Sequence, residues 1–418
     1  MVILSKLYSH DLDKVLTCND MAHSGSCARN LVLNSYKFLI SNMKYFAPVI
    51  GLPLIVHIRS LNKGVLKSTL EYYADAVGAG TATGYAIVVM ICLLRNVLGK
   101  FGKYSFLFLP TFIGSFALWF SPSPRVHRLF ETSVFQCTME SFILQQKTLA
   151  TKLIANSTLL RTFIFMCSSA LIMNAKRGKT YKGFWLLEPT PNRAKSTATM
   201  EEPTEESSGS LPNRSCSHKS KSCTRYAAQG IRNYMIIGFT LDIIKMLMAK
   251  VATNRQGFTA KLLIKLKTFK IRSCALLTSY IAIYRLLHCY FNRNYGGDST
   301  LNHSVAAFLS GSCFYFYPKL TLLCYAVVLG TQISWQHFKA HLSTELYGDT
   351  FEWITQLSYN KILYPLALAY LVNTYCFRSE YVSSLGETII NGITNNYAKT
   401  INQNIKKFDQ RLLSSSRQ

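Results

Sequence analysis

Cys18, His23 and Cys27 place two thiols and an imidazole within ten residues, and Cys216, His218 and Cys223 repeat the combination farther on. Thiolate and imidazole are the usual ligands of zinc, but zinc modules draw them from pairs at fixed short spacing. Neither set has that paired spacing, so no metal and no cofactor are expected. Cys92, Cys167, Cys274, Cys289, Cys313, Cys324 and Cys376 stand in apolar windows, where a thiol packs as a small apolar group. Their scatter does not resemble an extracellular disulfide framework. Gly178-Lys179-Thr180 has the form of the end of a phosphate-binding loop, yet Met173 stands where the loop needs its first glycine. There is no Gly-x-Ser-x-Gly and no His-Glu-x-x-His, and Ser157 has no base partner identifiable from the sequence. No catalytic residue is expected.

The other side chains able to do chemistry are charges set in apolar sequence: Asp75, Arg161, Asp242, Lys245, Arg285 and Lys319. An ionisable group in hydrocarbon is costly, so it is paired, functional, or near enough to an end to snorkel. Asp75, Asp242, Lys245 and Arg285 are the candidate intramembrane polar residues. Asp242 and Lys245 are one helical turn apart and are expected to satisfy each other. His288, beside Cys289, is read as a packed histidine rather than a ligand.

What must position these residues is apolar. The chain has 418 residues, 49% hydrophobic and only 16% charged, whereas a soluble domain carries about 25% charged residues. A spanning helix needs roughly 20 mainly apolar residues. Six windows approach that: 76–94, 104–120, 159–173, 273–291, 299–318 and 362–377. Three weaker ones, 45–58, 235–248 and 320–335, are read as re-entrant, interfacial or buried in a bundle. Ala76, Gly80 and Gly84 recur every fourth residue and share one helix face, which lets another backbone approach closely. Gly114 and Gly311 are expected to act in helix packing as well.

Forty-six Lys and Arg against twenty Asp and Glu give a formal charge of +26. Such a balance fits nucleic acid or an anionic membrane surface. The apolar windows favour the membrane, and no nucleic acid partner is expected. Residues 250–272 carry Lys250, Arg255, Lys261, Lys265, Lys267, Lys270 and Arg272 without an acid. Phe258, Leu262, Leu266 and Phe269 fall between them at helical spacing, so the segment is a basic amphipathic helix suited to anionic headgroups. Residues 1–44 form a polar N-terminal region with Cys and His. It lacks the apolar core of a secretory signal, and the final residues do not form a peroxisomal Ser-Lys-Leu signal.

Residues 174–226, rich in Ser, Thr, Pro and Lys, read as a disordered linker. It separates a first membrane half, 45–173, from a second, 227–378, which is followed by a polar tail, 379–418. At an offset of 197 residues Cys92 falls on Cys289, Gly114-Ser115 on Gly311-Ser312, and Phe120 on Tyr317. The order of segments also repeats. The expected fold is therefore an all-α membrane protein of two related halves, each with about three transmembrane helices, plus amphipathic or re-entrant helices. The Ala76/Gly80/Gly84 face is where the halves are expected to meet.

Three stretches carry a family resemblance: Lys44-Tyr45-Phe46-Ala47-Pro48 after the His23/Ser26/Cys27 region, Cys92-Leu93-Leu94-Arg95-Asn96-Val97-Leu98-Gly99-Lys100, and Ala306-Ala307-Phe308-Leu309-Ser310-Gly311 with Phe316-Tyr317 and Tyr325 following. On these the chain resembles the transmembrane protein 135 family of peroxisomes and mitochondria, over most of its length except the linker and tail. Asn292 stands where the repeat would put Arg95, and Pro318 where the family commonly has lysine; both departures bear on any headgroup role for the second copy. The resemblance implies a non-enzymatic organelle membrane protein acting in mitochondrial dynamics and lipid metabolism, through transport in one version. It also implies a distant similarity to channel subunits of the mitochondrial inner-membrane translocase, and no catalytic residues. The expected partners are anionic lipids and copies of itself or other organelle membrane proteins. The alternatives are a translocase-like channel, which needs a polar midplane cavity, and an integral-membrane lipid enzyme, which needs His, Asp or Cys converging at one leaflet.

Overall fold

The computed structural model describes residues 17–23, 25–56, 62–99, 101–102, 104–181, 183–189, 222–251, 271–295, 299–345 and 358–415. Among them every regular element is helical and there is no strand. In chain order the helices are α1 (Cys18–Met21), α2 (Cys27–Val56), α3 (Lys63–Leu98), α4 (Phe108–Gly114), α5 (Pro124–Leu144), α6 (Leu149–Asn156), α7 (Thr158–Arg177), α8 (Cys223–Val251), α9 (Arg272–Asn294), α10 (Thr300–Ser310), α11 (Leu320–Glu345), α12 (Asn360–Phe377), α13 (Ser384–Ile393) and α14 (Tyr397–Ser415). Two short helices, α4 and α10, run directly into 3₁₀ turns, Ser115–Phe120 and Gly311–Phe316.

Three helices among the described residues are long and apolar enough to cross a membrane: α3, α7 and α9. At about 1.5 Å per residue, the 36 residues of α3 exceed a hydrocarbon core of about 30 Å, and the 20 of α7 match it. These three correspond to the windows at 76–94, 159–173 and 273–291. The windows at 104–120 and 299–318 are not continuous α-helices. Composition made them look like spans, but backbone geometry divides them. The buried Pro110 sits in the first turn of α4, where the missing N–H costs nothing. At its far end a Cβ on Gly114 would lie 2.6 Å from the Ile87 backbone nitrogen, so α4 ends pressed on α3 and the chain tightens into the 3₁₀ turn. The window at 362–377 lies in α12, which has only 18 residues, contains Pro365, and is not one of the three. The weaker windows lie in α2, α8 and α11, apart from His57 and Ile58, which are outside the described residues.

The helices gather into two compact units, Met1–Ala155 with Tyr347–Gln418, and Asn156–Leu346. Both boundaries fall outside the 174–226 segment. In the first unit α2 packs along α3, α4 crosses α3, and α12 lies against α4 and α5. In the second, α8 packs along α9, α10 lies against α9, and α7 lies against α10 and α11. The first unit therefore contains three helices, α12, α13 and α14, that come from beyond the linker in sequence, and the second contains one, α7, that comes from before it.

Side chains satisfy several helix ends. Asn402 of α14 donates from Nδ2 to the carbonyls of Tyr375 and Cys376 at 3.0 and 2.8 Å, closing the C-terminus of α12. Ser41 Oγ and Asn42 Nδ2 donate to the carbonyls of Gly392 and Ile393 at the end of α13. The stretch read as a polar tail thus contains two amphipathic helices docked on the first unit. Ile389 and Ile390 of α13, and Ala398, Ile401 and Ile405 of α14, are buried, while Lys399, Lys406, Lys407 and Arg411 are exposed.

Candidate functional sites

The first unit brings the N-terminal Cys/His set together. A capping box between Thr17 and Asp20 holds the single turn of α1, with Thr17 N donating to Asp20 Oδ2 at 2.9 Å. The chain then turns through Gly25, whose φ of 84° suits glycine, and re-enters a helix at Cys27. This turn sets Cys18, His23 and Cys27 beside Cys92, near the end of α3. The ligand atoms of all four lie within 4.8 Å of one another, with Cys92 Sγ 3.5 Å from His23 Nε2. Cys18, His23 and Cys92 are buried and Cys27 is half-buried. Their surroundings are apolar: Met21, Ala22, Ile91, Phe101, Phe106 and Ile401 belong to the same core. Asn404 of α14 donates to the Met21 carbonyl at 3.2 Å and ties the turn down.

Hydrogen bonding with Cys92 pushes the Cys18 thiol down to about 6; burial opposes this, and the Arg95 charge assists. Burial pushes the Cys27 thiol up. Three thiols and an imidazole converging in this way form a soft donor set. The sequence hid it because the fourth donor lies 69 residues beyond His23, and Cys92 was read only as a small apolar residue. The usable signal was a cysteine at the polar end of an apolar helix, within reach of a lone Cys/His/Cys run. Cys216 and His218 lie outside the described residues, and Cys223 opens α8.

The first unit also contains a partly open cavity of ≈240 Å³. Phe46 of α2, Ile87 of α3, Phe130 and Val134 of α5, Leu368 of α12 and Ile389 of α13 give it an apolar wall. Hydroxyls of Thr83, Ser133 and Thr394 are among its few polar groups. Gly84 lines it, where a Cβ would make ordinary contacts of 3.6–3.7 Å with Phe38 and Ile393. Toward the N-terminus the same face is tight: a Cβ on Gly80, one turn away, would overlap the Asn42 side chain, and Ala76, two turns away, is fully buried. The Ala76/Gly80/Gly84 face was expected to join the two halves. It packs instead on α2 and α13 of its own unit, because Asn42 and Phe38 approach through the space the small residues leave. Gly311 is also in close contact, with a Cβ falling 2.9 Å from Met166 Cα of α7.

The charges in apolar sequence find different partners. Asp242, buried on α8, accepts from the Ser273 and Cys274 backbone N–H groups at 3.0 Å each, so it caps the N-terminus of α9. Lys245 lies on the same helix, but its side chain is outside the described residues. Arg285 donates from Nη1 to the Tyr226 carbonyl at 2.6 Å and stacks 4.0 Å from that ring, filling the space left by Gly230. Asp75 is half-buried on α3, Arg161 donates from Nη1 to the Pro318 carbonyl at 3.4 Å, and Lys319 is exposed. Lys261, Lys265, Lys267 and Lys270 lie outside the described residues, and Arg272 is exposed at the start of α9.

In the second unit His288 is buried within a polar network that the sequence reading missed. His303 Nε2 stands 3.2 Å from the Met173 carbonyl and must donate to it, so His303 Nδ1, 2.8 Å from the Tyr284 hydroxyl, accepts. Asn302 donates to Asn292 Oδ1 at 3.3 Å, and Asn292 donates to His288 Nε2 at 3.4 Å. Nearby, Ser169 and Tyr280 share a hydrogen bond, and Trp185 Nε1 donates to the Tyr280 hydroxyl at 3.3 Å. Polar residues spaced along two apolar windows gave no sign that they would meet. Protein-family models, curated proteins and solved structures yield no match to this chain.

Proposed function

We propose that the chain is a non-enzymatic multi-pass protein of an organelle membrane that acts on lipid by holding an acyl chain in the cavity of its first unit. The observation that carries this reading is the composition of that cavity. Its walls are aromatic and branched aliphatic side chains, with a few hydroxyls for orientation, which is the usual make-up of a site for an apolar ligand. A channel for metabolites or proteins calls for a polar path instead, and a lipid enzyme calls for nucleophile and base at the cavity wall. Three apolar helices supply the membrane setting. The resemblance at 92–100 and 306–311 supports assignment to the transmembrane protein 135 family, and with it a peroxisomal or mitochondrial membrane and a role in mitochondrial dynamics.

The two-copy architecture belongs to the same proposal. It is supported by the paired helices α2/α3 and α8/α9, by the interrupted helices that follow at α4 and α10, and by a closing helix, α12 or α7, taken from across the linker. The two copies thus exchange their last helices within one chain.

The test is photolabelling of the purified full chain with a diazirine fatty acid. Labelled peptides should map to α5 and α13, and Ser133→Trp, which fills the cavity, should reduce labelling at least several-fold while leaving the melting temperature near that of the wild type. Labelling spread over the outer faces of α3, α7 and α9, indifferent to Ser133→Trp, would reject the lipid site. Imaging a tagged chain against peroxisomal and mitochondrial markers tests the organelle.

A further inference from the structure

We propose that Cys18, His23, Cys27 and Cys92 bind one zinc ion as a closed, four-coordinate structural centre that fastens the N-terminal turn to the end of α3. The donors are those of a Cys₃His site, a standard structural zinc set. Zinc bond lengths of about 2.3 Å to sulfur and about 2.0–2.1 Å to nitrogen place tetrahedral ligand atoms roughly 3.5–3.8 Å apart. The Cys92–His23 edge is already 3.5 Å. The widest spread among the four donor atoms is 4.8 Å, so closure requires a contraction of about 1 Å at most. Rotation about cysteine χ1 supplies that without moving a helix.

The surroundings suit a structural ion. Magnesium and calcium require oxygen ligands, and the donors here are sulfur and nitrogen. Burial of three of the four donors in an apolar core leaves little room for the open coordination position that catalytic zinc keeps. Three thiolates around Zn²⁺ carry one net negative charge. Arg95, one turn past Cys92, acts on Cys18 electrostatically, and its guanidinium is steadied over the Phe101 ring at 5.4 Å. The four donors come from three places: the turn of α1, the start of α2 and the end of α3. An ion there would add a covalent-strength link between segments otherwise joined by apolar packing and the Asn404–Met21 hydrogen bond. This centre does not depend on the lipid reading, since none of its ligands lines the cavity.

The principal competitor is a disulfide, for which Cys18 and Cys92 are the obvious pair. It would consume two thiols and leave Cys27 and His23 without a role.

Elemental analysis of the full chain, purified in detergent with reductant and no chelator, should find about one zinc ion per chain. Cys92→Ser and His23→Ala should lose most of it, His23→Cys should keep it as a Cys₄ site, and Cys376→Ser, a buried thiol of the same core outside the set, should keep it. Should Cys92→Ser fail to fold, the wild type carries the test. Stripping and refilling with Co²⁺ should give thiolate-to-cobalt charge-transfer absorption, and maleimide should label Cys27 only after a strong chelator is added. Sub-stoichiometric zinc with no cobalt band, zinc retained in Cys92→Ser, or a Cys18–Cys92 disulfide found by mass spectrometry would each overturn the assignment.

Discussion

The two units differ in what they bury beside a cysteine near the end of an apolar helix, Cys92 of α3 and Cys289 of α9. In the first unit Cys92 meets two more thiols and an imidazole, and an apolar cavity opens elsewhere in the same unit. In the second, Cys289 sits next to His288 in a region where buried amides, imidazoles and phenols hydrogen-bond to one another. A hydrogen-bonded network of this kind is satisfied within the protein and fixes its members in place. Thiols make weak hydrogen bonds, so a cluster of them remains available to an external partner. The comparison sets a unit with a thiol cluster and an apolar cavity against a unit whose buried polar groups hydrogen-bond to one another.

The largest expected effect comes from the closest backbone approaches. Gly114→Leu drives a side chain into the Ala86–Ile87 backbone of α3, and Gly311→Leu drives one into Met166 of α7. Overpacking against backbone that cannot move costs about 3 kcal/mol or more, so both variants should lose the folded state in detergent, as read by thermal unfolding and protease resistance. Gly84→Ala, with only ordinary contacts, should change stability by less than about 1 kcal/mol. Gly311→Leu behaving like Gly84→Ala would show that the interrupted helices pack differently in the two units.

Next comes a buried acid in the first unit. Glu131 lies on α5, which is not one of the three apolar helices long enough to cross a membrane, and it accepts from Asn360 Nδ2 at 2.7 Å. Burial pushes its carboxyl up to about 7 from the ordinary 4.5, against the opposing effects of Asn360 and Arg128. A raised acid binds its proton more tightly in the folded chain. Its penalty is therefore absent below about pH 4.5, grows between 4.5 and 7, and is complete above 7. At 1.36 kcal/mol per pKa unit the upper limit is about 3 kcal/mol. Glu131→Gln keeps an acceptor for Asn360 and removes the charge. It should raise the melting temperature at pH 8, leave it almost unchanged at pH 4.5, and flatten the pH dependence between. A pH 8 gain no larger than that at pH 4.5 would refute the buried-charge account.

How much of this was legible in the sequence follows from the range of each signal. Helical class and three apolar helices could be read from composition, because a long charge-free window has few other uses. The windows at 104–120 and 299–318 had the same composition but a different geometry. Pro110, which the reading passed over, and the Gly-Ser steps at Gly114 and Gly311 marked the breaks; the Gly-Ser steps were taken as signs of repetition and of helix packing. The small-residue spacing is local and therefore visible, but what lies against it is tertiary information: Asn42 of α2 at Gly80, and Phe38 of α2 with Ile393 of α13 at Gly84. The thiol cluster was three-quarters visible; its fourth member depends on where α3 ends relative to the N-terminal turn. Asp242 was matched to Lys245, whose side chain lies outside the described residues, because spacing along one helix is all that a sequence offers; the amides it also accepts from lie 31 and 32 residues away, beyond that range.

That cap gives the smallest effect and the sharpest contrast between the units. Helix α9 of the second unit begins against the Asp242 carboxylate, which satisfies two of its otherwise orphan N–H groups and sets a negative charge at the positive end of the helix dipole. Helix α3 of the first unit begins at Asn62, whose side chain makes no capping hydrogen bond. Replacing a working cap by alanine costs about 1–2 kcal/mol, and replacing an idle one costs little. Asp242→Ala should therefore lower stability by about that amount and speed hydrogen exchange at the Ser273 and Cys274 amides, whereas Asn62→Ala should leave exchange at the start of α3 within about a factor of two of the wild type. Asp242→Asn, which keeps the acceptor and loses the charge, should fall between, and the gap between Asn and Ala measures how much of the cap is hydrogen bond rather than dipole. Equal losses from Asp242→Ala and Asn62→Ala would mean that the start of α9 is held by packing against α8, and that α3 and α9 are anchored in the same way.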